Sequence, residues 1–144
     1  MNSLPLDDIY QEVILDHFKN PRHKGVVECP SNTCALYNPL CGDKVELFGV
    51  INKEKIEKIG FSGQGCSISQ SSASMMSELC EGKTVEEVKK IVEEFKALMR
   101  GEKDPENSPE LGDAVCLHGV RKFSARVRCA MLAWEAVEKL VEEK

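Results

Sequence analysis

Apolar residues recur at helical spacing in several stretches of the chain and alternate with polar ones in a short region between them. Over residues 7–18, Tyr10, Val13, Ile14 and Phe18 share one helical face, and Asn20-Pro21 ends the helix because proline cannot continue its hydrogen-bond ladder. Over 44–51, Val45 and Leu47 alternate with Lys44 and Glu46. A second strand-like run, 56–61, follows the polar turn Asn52-Lys53-Glu54-Lys55, so the pair predicts an antiparallel hairpin. Residues 67–81 read as a helix with serines at its start and Gly82 just past its end. Thr84-Val85-Glu86-Glu87 is a capping box opening a helix whose Val85, Val88, Ile91, Val92, Phe95, Leu98 and Met99 form one stripe. A last helix, 124–144, carries Val127, Ala130, Met131, Trp134 and Val137. Residues 20–43, with Pro21, Gly25, Pro30, Pro39 and Gly42, read as turns, and 101–109 as a polar loop. Strands followed by helices predict an α+β fold rather than a doubly wound sheet.

With 144 residues, the chain is expected to form a single domain, 1–144, able to bury roughly 68–70% of its unfolded surface without disulfides. Its 19 Lys and Arg against 24 Asp and Glu give a net charge of −5. Glu and Lys interleave along the helices and no basic stripe gathers, which argues against nucleic acid as a partner. No apolar run approaches the roughly 20 residues of a membrane span. The start, Met1-Asn2-Ser3-Leu4-Pro5-Leu6-Asp7-Asp8, lacks the basic and apolar regions of an export signal. A cytoplasmic protein, away from membranes, is expected.

Cysteine is the outlier. Cys29, Cys34, Cys41, Cys66, Cys80, Cys116 and Cys129 make seven, an odd number in a chain expected among reduced thiols. Metal ligation or thiol chemistry is favoured over cystines. Cys41 lies in Asn38-Pro39-Leu40-Cys41-Gly42-Asp43, Cys66 follows Gly63-Gln64-Gly65 at a strand-to-helix junction, and Cys129 follows Arg126-Val127-Arg128 near the start of the last helix. The entry to the first strand of a hairpin and the exit from its second lie side by side. Cys41, Asp43 and Cys66 are therefore expected at one end of the sheet. An offset of two residues turns Cys41 and Asp43 to the same side, and Cys66 and Cys129 would complete a set of three sulfurs and one oxygen. Such thiolates select zinc, copper(I) or iron–sulfur centres. The harder carboxylate among them reads as a site built for exchange. Helix N-terminal placement of Cys66 and the arginines near Cys129 favour thiolate in both.

Other residues read more plainly. Cys80 falls inside an amphipathic helix and is expected in the core, and His17 on the apolar helix face reads as a packing residue. Cys29 and Cys34 are loosely knuckle-spaced without a partner pair. Cys116, His23 and His118 carry no specific signal. A hydrolase built on Cys66 and His118 lacks an orienting third group.

Several separated motifs in order resemble a known family, the U-type iron–sulfur cluster assembly scaffolds (the IscU, SufU and NifU-like proteins). They are Leu15-Asp16-His17-Phe18-Lys19-Asn20-Pro21-Arg22, Asn38-Pro39-Leu40-Cys41-Gly42-Asp43, Phe61-Ser62-Gly63-Gln64-Gly65-Cys66-Ser67-Ile68-Ser69 and Ala125-Arg126-Val127-Arg128-Cys129. The resemblance implies a SufE/NifU-like α+β fold, a small antiparallel sheet of about three strands with helices packed on it. It also implies a metal and cofactor site of Cys41, Asp43, Cys66 and Cys129. Such scaffolds take sulfur from a cysteine desulfurase, build a [2Fe–2S] or related cluster, and pass it to apo-proteins. Zinc is the alternative occupant. Arg128 stands where the IscU type has histidine, Phe123-Ser124-Ala125-Arg126-Val127 replaces its chaperone-recognition segment, and 101–120 looks like the insertion of the SufU type. The closer resemblance is thus to SufU, a branch with zinc-dependent sulfurtransferases. Two mechanisms follow from it: a scaffold without turnover, holding a cluster that can bridge copies in a homo-oligomer, or an enzyme. In the second, Cys41 accepts persulfide sulfur while Arg126 replaces it by pairing with Asp43.

Overall fold

The computed structural model describes residues 8–39 and 42–142. In chain order they form α1 (Asp8–Lys19), β1 (Asn32–Asn38), β2 (Asp43–Asn52), β3 (Lys55–Gln64), α2 (Ser67–Cys80) and α3 (Val85–Met99). A 3₁₀ turn (Pro105–Asn107), a longer 3₁₀ segment (Pro109–Lys122) broken at Gly112, and α4 (Ser124–Glu142) complete them. The strands make one antiparallel sheet in the order β1-β2-β3. Leu36 of β1 faces Val45 of β2, and Val45 faces Gly63 of β3. The fold is α+β, as expected. Residue 7 of the expected first helix, residues 143 and 144 of the last, and Cys41 lie outside the described residues.

β1 lies inside the turn-rich stretch 20–43, where the pattern predicts no strand, and is the third strand that the family resemblance implies. Its side chains do alternate, with Cys34 and Leu36 half-buried and Thr33, Ala35 and Tyr37 exposed. Small and polar residues between Pro30 and Pro39 make that alternation a weak strand signal. The pairing partner, β2, supplies what periodicity does not. Likewise the segment after the polar loop is 3₁₀ helix, whose three-residue period leaves no amphipathic stripe to read.

Helices cover one face of the sheet, with α4 on β1 and β2 and α2 on β3. Val45, Leu47, Ile59 and Phe61 are buried there. α3 packs on α4 and on the long 3₁₀ segment, and its stripe is anchored by Phe95 stacked on Trp134 at 4.0 Å between ring centroids. The capping box is formed: Glu87 N–H donates to Thr84 Oγ1 (3.1 Å), and Thr84 N–H to Glu87 Oε1 (2.9 Å).

α2 is buried on almost every side yet rich in serine: Ser69, Ser71, Ser72, Ser74 and Ser77 are all buried. Small side chains let α1 and α4 approach closely, but a buried hydroxyl is costly unless bonded. Each is bonded. Ser72 Oγ donates to the Ala130 carbonyl (2.6 Å) and accepts from Trp134 Nε1 (2.8 Å), while Ser77 Oγ donates to the Arg22 carbonyl (3.1 Å). This rigid helix begins where β3 ends and β2 starts, so its first residues face the sheet's end. Among the described residues, no helix is long and apolar enough to cross a membrane.

Candidate metal centre

Asp43 is the first residue of β2, opposite Asn38 at the end of β1. Cys66 is the N-cap residue of α2, and Cys129 lies in the second turn of α4. One ligand atom from each of Asp43, Cys66 and Cys129 lies within 4.8 Å of the other two. Asp43 and Cys129 are buried and Cys66 is half-buried, so the cluster opens towards solvent on the Cys66 side. The fourth expected ligand, Cys41, lies outside the described residues.

Glycine makes the convergence sterically feasible. Gly63 and Gly65 adopt φ of +150° and +151°, values that side chains rarely tolerate. A Cβ on Gly63 would sit 2.0 Å from the Lys44 carbonyl oxygen, and one on Gly65 would sit 2.2 Å from Asp43 Oδ1. The exit of β3 is thereby pressed against the entry of β2. From that position the Cys66 N–H donates to Asp43 Oδ1 (3.0 Å), joined by Ser69 Oγ (3.2 Å). Asp43 Oδ2, by contrast, is buried with no hydrogen-bond partner among the described residues.

A buried carboxylate oxygen left without a partner costs a desolvation penalty that a cation would repay. The donor set agrees: two thiols and a carboxylate oxygen match the ligand types of zinc and of labile iron–sulfur centres. Burial pushes the Asp43 carboxyl up, but the Cys129 side chain, the Cys66 amide, Ser69 and Asn38 together hold it below its ordinary value. It is an anion at neutral pH. Asn38 Nδ2 also points at Cys129 Sγ (3.8 Å), a weak bond to sulfur of the type that tunes a metal thiolate.

The exposed Arg126 stands beside both sulfurs. Electrostatic attraction to Cys66, and then to Cys129, holds its pKa above the ordinary arginine value. The contacts seen are with the thiols; pairing with Asp43, expected from the sequence, would need another arrangement of the site. Next to Cys66 a groove of about 370 Å³ is lined by Ser67, Ile68, Val120, Phe123 and Arg126. Its apolar walls come partly from the 3₁₀ segment, which no sequence period marked.

The remaining cysteines stay apart from this centre. Cys80 is buried in α2, and burial pushes its thiol up to about 12. Cys116 is in the core, Cys34 packs against it from β1, and Cys29 is exposed. His118 Nε2 is engaged by Arg121 (2.7 Å), and burial and that guanidinium lower its pKa. Around His118 the lining residues are Met99, Arg100, Gly119, Arg121 and Lys122, which include no cysteine.

A second cluster, invisible in the sequence, joins α1, α2 and the 3₁₀ segment. The fully buried His17 meets Ser74 Oγ through Nδ1 (2.7 Å) and Asp113 Oδ2 through Nε2 (2.8 Å), with Glu78 at 4.0 Å. Ser74 Oγ also accepts the Arg22 N–H (2.8 Å). The Asp113 carboxylate can only accept, so His17 Nε2 carries a proton and donates to it, while Nδ1 shares its bond with the Ser74 hydroxyl. His17 is the packing residue expected, and its hydrogen bonds are satisfied without an ion.

A family model for the NifU-like N terminal domain matches residues 9–130. The zinc-dependent sulfurtransferase SufU of Bacillus subtilis is 43% identical over 139 residues, covering 96% of this chain and 93% of that protein. The iron–sulfur cluster assembly scaffold protein IscU of Streptococcus pyogenes is 38% identical over 137 residues, covering 95% and 85%. A crystal structure of a candidate cluster assembly scaffold for the SUF system, from Fervidobacterium islandicum, superposes with a TM-score of 0.85 at 31% identity, covering 92% and 96%. The match includes Asp43, Cys66 and Cys129, and the chain belongs to the family of the NifU-like N terminal domain.

Proposed function

We propose that this protein is an iron–sulfur cluster assembly scaffold, acting as one unit over residues 1–144 in the cytoplasm. It would receive sulfur from a cysteine desulfurase, assemble a labile [2Fe–2S] or related cluster as cargo, and pass it to apo-proteins. Cys41, Cys66, Cys129 and Asp43 are the proposed ligands. The observation that carries this reading is an Asp43 carboxylate oxygen within 4.8 Å of the two cysteine sulfurs, in a buried carboxylate whose Oδ2 has no hydrogen-bond partner among the described residues. A hard oxygen among soft sulfurs makes a weaker hold than a fourth thiolate, which suits cargo that must leave. The groove beside Cys66 gives a donor's sulfur-bearing segment an approach to the open side.

A second reading, zinc-dependent sulfur transfer, is favoured by Arg126 standing over the sulfurs of Cys66 and Cys129 and by the similarity to SufU. Zinc, when bound by Cys41, Asp43, Cys66 and Cys129, would keep their thiols ionised. The Cys41 thiolate would attack the outer sulfur of the desulfurase persulfide. A Cys41 persulfide forms and the desulfurase cysteine leaves as thiolate, so no external oxidant or reductant is needed. Arg126 then takes the vacated place by pairing with Asp43.

Anaerobic incubation with ferrous iron, cysteine and a desulfurase separates the two. Visible charge-transfer absorption that survives desalting and moves to an apo-ferredoxin supports the scaffold. Retention of zinc alone, with faster alanine formation by the desulfurase, supports sulfur transfer. Unchanged metal retention in Cys41→Ser, Cys66→Ser and Cys129→Ser would exclude both.

A further inference from the structure

The cation that Asp43 would meet sees one oxygen because the other is already committed. Oδ1 takes the Cys66 N–H at 3.0 Å and the Ser69 hydroxyl at 3.2 Å, while Oδ2 has no hydrogen-bond partner among the described residues. Ser69 is fully buried and sits in the first turn of α2. Its oxygen in turn accepts from Gln70 Nε2 (3.3 Å). Gln70 is itself buried, and its Oε1 has no partner among the described residues. A hydroxyl that accepts from an amide has its proton free to donate elsewhere. Here the proton is shared between Asp43 Oδ1 and the Cys66 carbonyl, 3.1 Å away.

We infer that Ser69, held by Gln70, is a positioning residue: it fixes the rotation of the Asp43 carboxylate so that Oδ2 alone is presented to the metal, and ties that carboxylate to the Cys66 backbone. Neither residue is a ligand. The inference rests on the proposed reading of Asp43 as a ligand and deepens it, since it explains how a buried carboxylate is kept to a single-oxygen contact. A polar chain ending on an orphaned amide oxygen is a costly way to pack a helix against a strand. It has a purpose if it aims a ligand. Outer partners of this kind commonly affect metal affinity by 10–100-fold.

The test uses the full chain loaded with Co²⁺, for its visible spectrum, and with Zn²⁺, for transfer to a chromogenic chelator. In Ser69→Ala the expected results are shifted cobalt d–d bands and zinc release faster by about tenfold, the lower end of that range. Gln70→Met, which removes the amide and its orphaned oxygen together, should release zinc faster while thermal stability holds or rises. In an Asp43→Ala background, Ser69→Ala should add nothing. An unchanged spectrum and release rate in Ser69→Ala, or a full effect that persists without Asp43, overturns the positioning role. If the unaltered protein shows no cobalt–thiolate charge transfer, or Cys66→Ser leaves that band intact, the proposed metal centre fails and this inference with it.

Discussion

Two clusters of three ligand-type side chains touch the same helix, α2, and come to opposite ends. Around His17 the donors and acceptors form a closed series, from the Arg22 amide through Ser74 and the imidazole to Asp113. Around Asp43 the series stops short: the Cys66 amide and the Ser69 hydroxyl meet Oδ1, the Cys129 and Asn38 side chains stand beside the carboxylate, and Oδ2 has no hydrogen-bond partner among the described residues. Both clusters have ligand atoms within 4.8 Å of one another, so proximity does not separate them. Satisfaction does. A closed cluster stabilises the fold by itself, whereas an open one spends stability and is completed by something that arrives.

The sharpest way to break that contrast is at the sulfurs. Cys66→Ser and Cys129→Ser should each weaken zinc binding beyond the 10–100-fold typical of an outer partner, measured by competition with a chelator. Wild-type affinity in either would remove the contrast altogether. Next in size is His17→Ala, which deletes a fully buried ring with two hydrogen bonds and should cost about 3–4 kcal/mol in denaturant unfolding. Zinc affinity of the folded fraction should stay as it was; a parallel loss would show that the clusters are coupled through α2. Asp113→Ala opens the closed series at its half-exposed end. A loss of about 1.5 kcal/mol is expected, discounted for solvent screening.

Thr84→Ala serves as the reference that touches neither cluster. Loss of the capping bond should cost about 1 kcal/mol, with the cobalt spectrum unaltered. The smallest effect concerns Cys80. Its thiol stays protonated until pH nears about 12 because burial disfavours the thiolate, so at mildly alkaline pH alkylating agents should spare it. Exposed Cys29 should be modified first, as read by peptide mass spectrometry. Rapid native-state labelling of Cys80 would mean that α2 opens locally, undermining its role as the rigid support of both clusters.

Much of this was legible before any coordinates. The α1 helix, the β2–β3 hairpin, the α3 capping box and the cysteines at element boundaries all follow from local pattern, because periodicity and capping are read from residues within a few positions of one another. Phe18, however, expected on the packed face of α1, is exposed. Asp43 and Cys66 were paired by hairpin geometry, which places strand entry beside strand exit. β1 was not legible, since its pairing with β2 rather than its own residues makes it a strand. Ser69 reads only as one of the serines at a helix start, and Gln70 carries no signal. Nothing in their spelling says that one hydroxyl faces a carboxylate 26 positions earlier in the chain.

By itself, then, the order of residues determined which segments are helix or hairpin, which thiols are candidates, and which glycines allow a close approach. Tertiary structure alone decided that Cys129 meets Asn38 across 91 positions and His17 meets Asp113 across 96. It also decided which of two chemically identical carboxylate oxygens has no partner among the described residues. Local chemistry is written in neighbouring residues, but hydrogen-bond satisfaction is a property of the packed whole, where groups far apart in the chain compete for the same few donors.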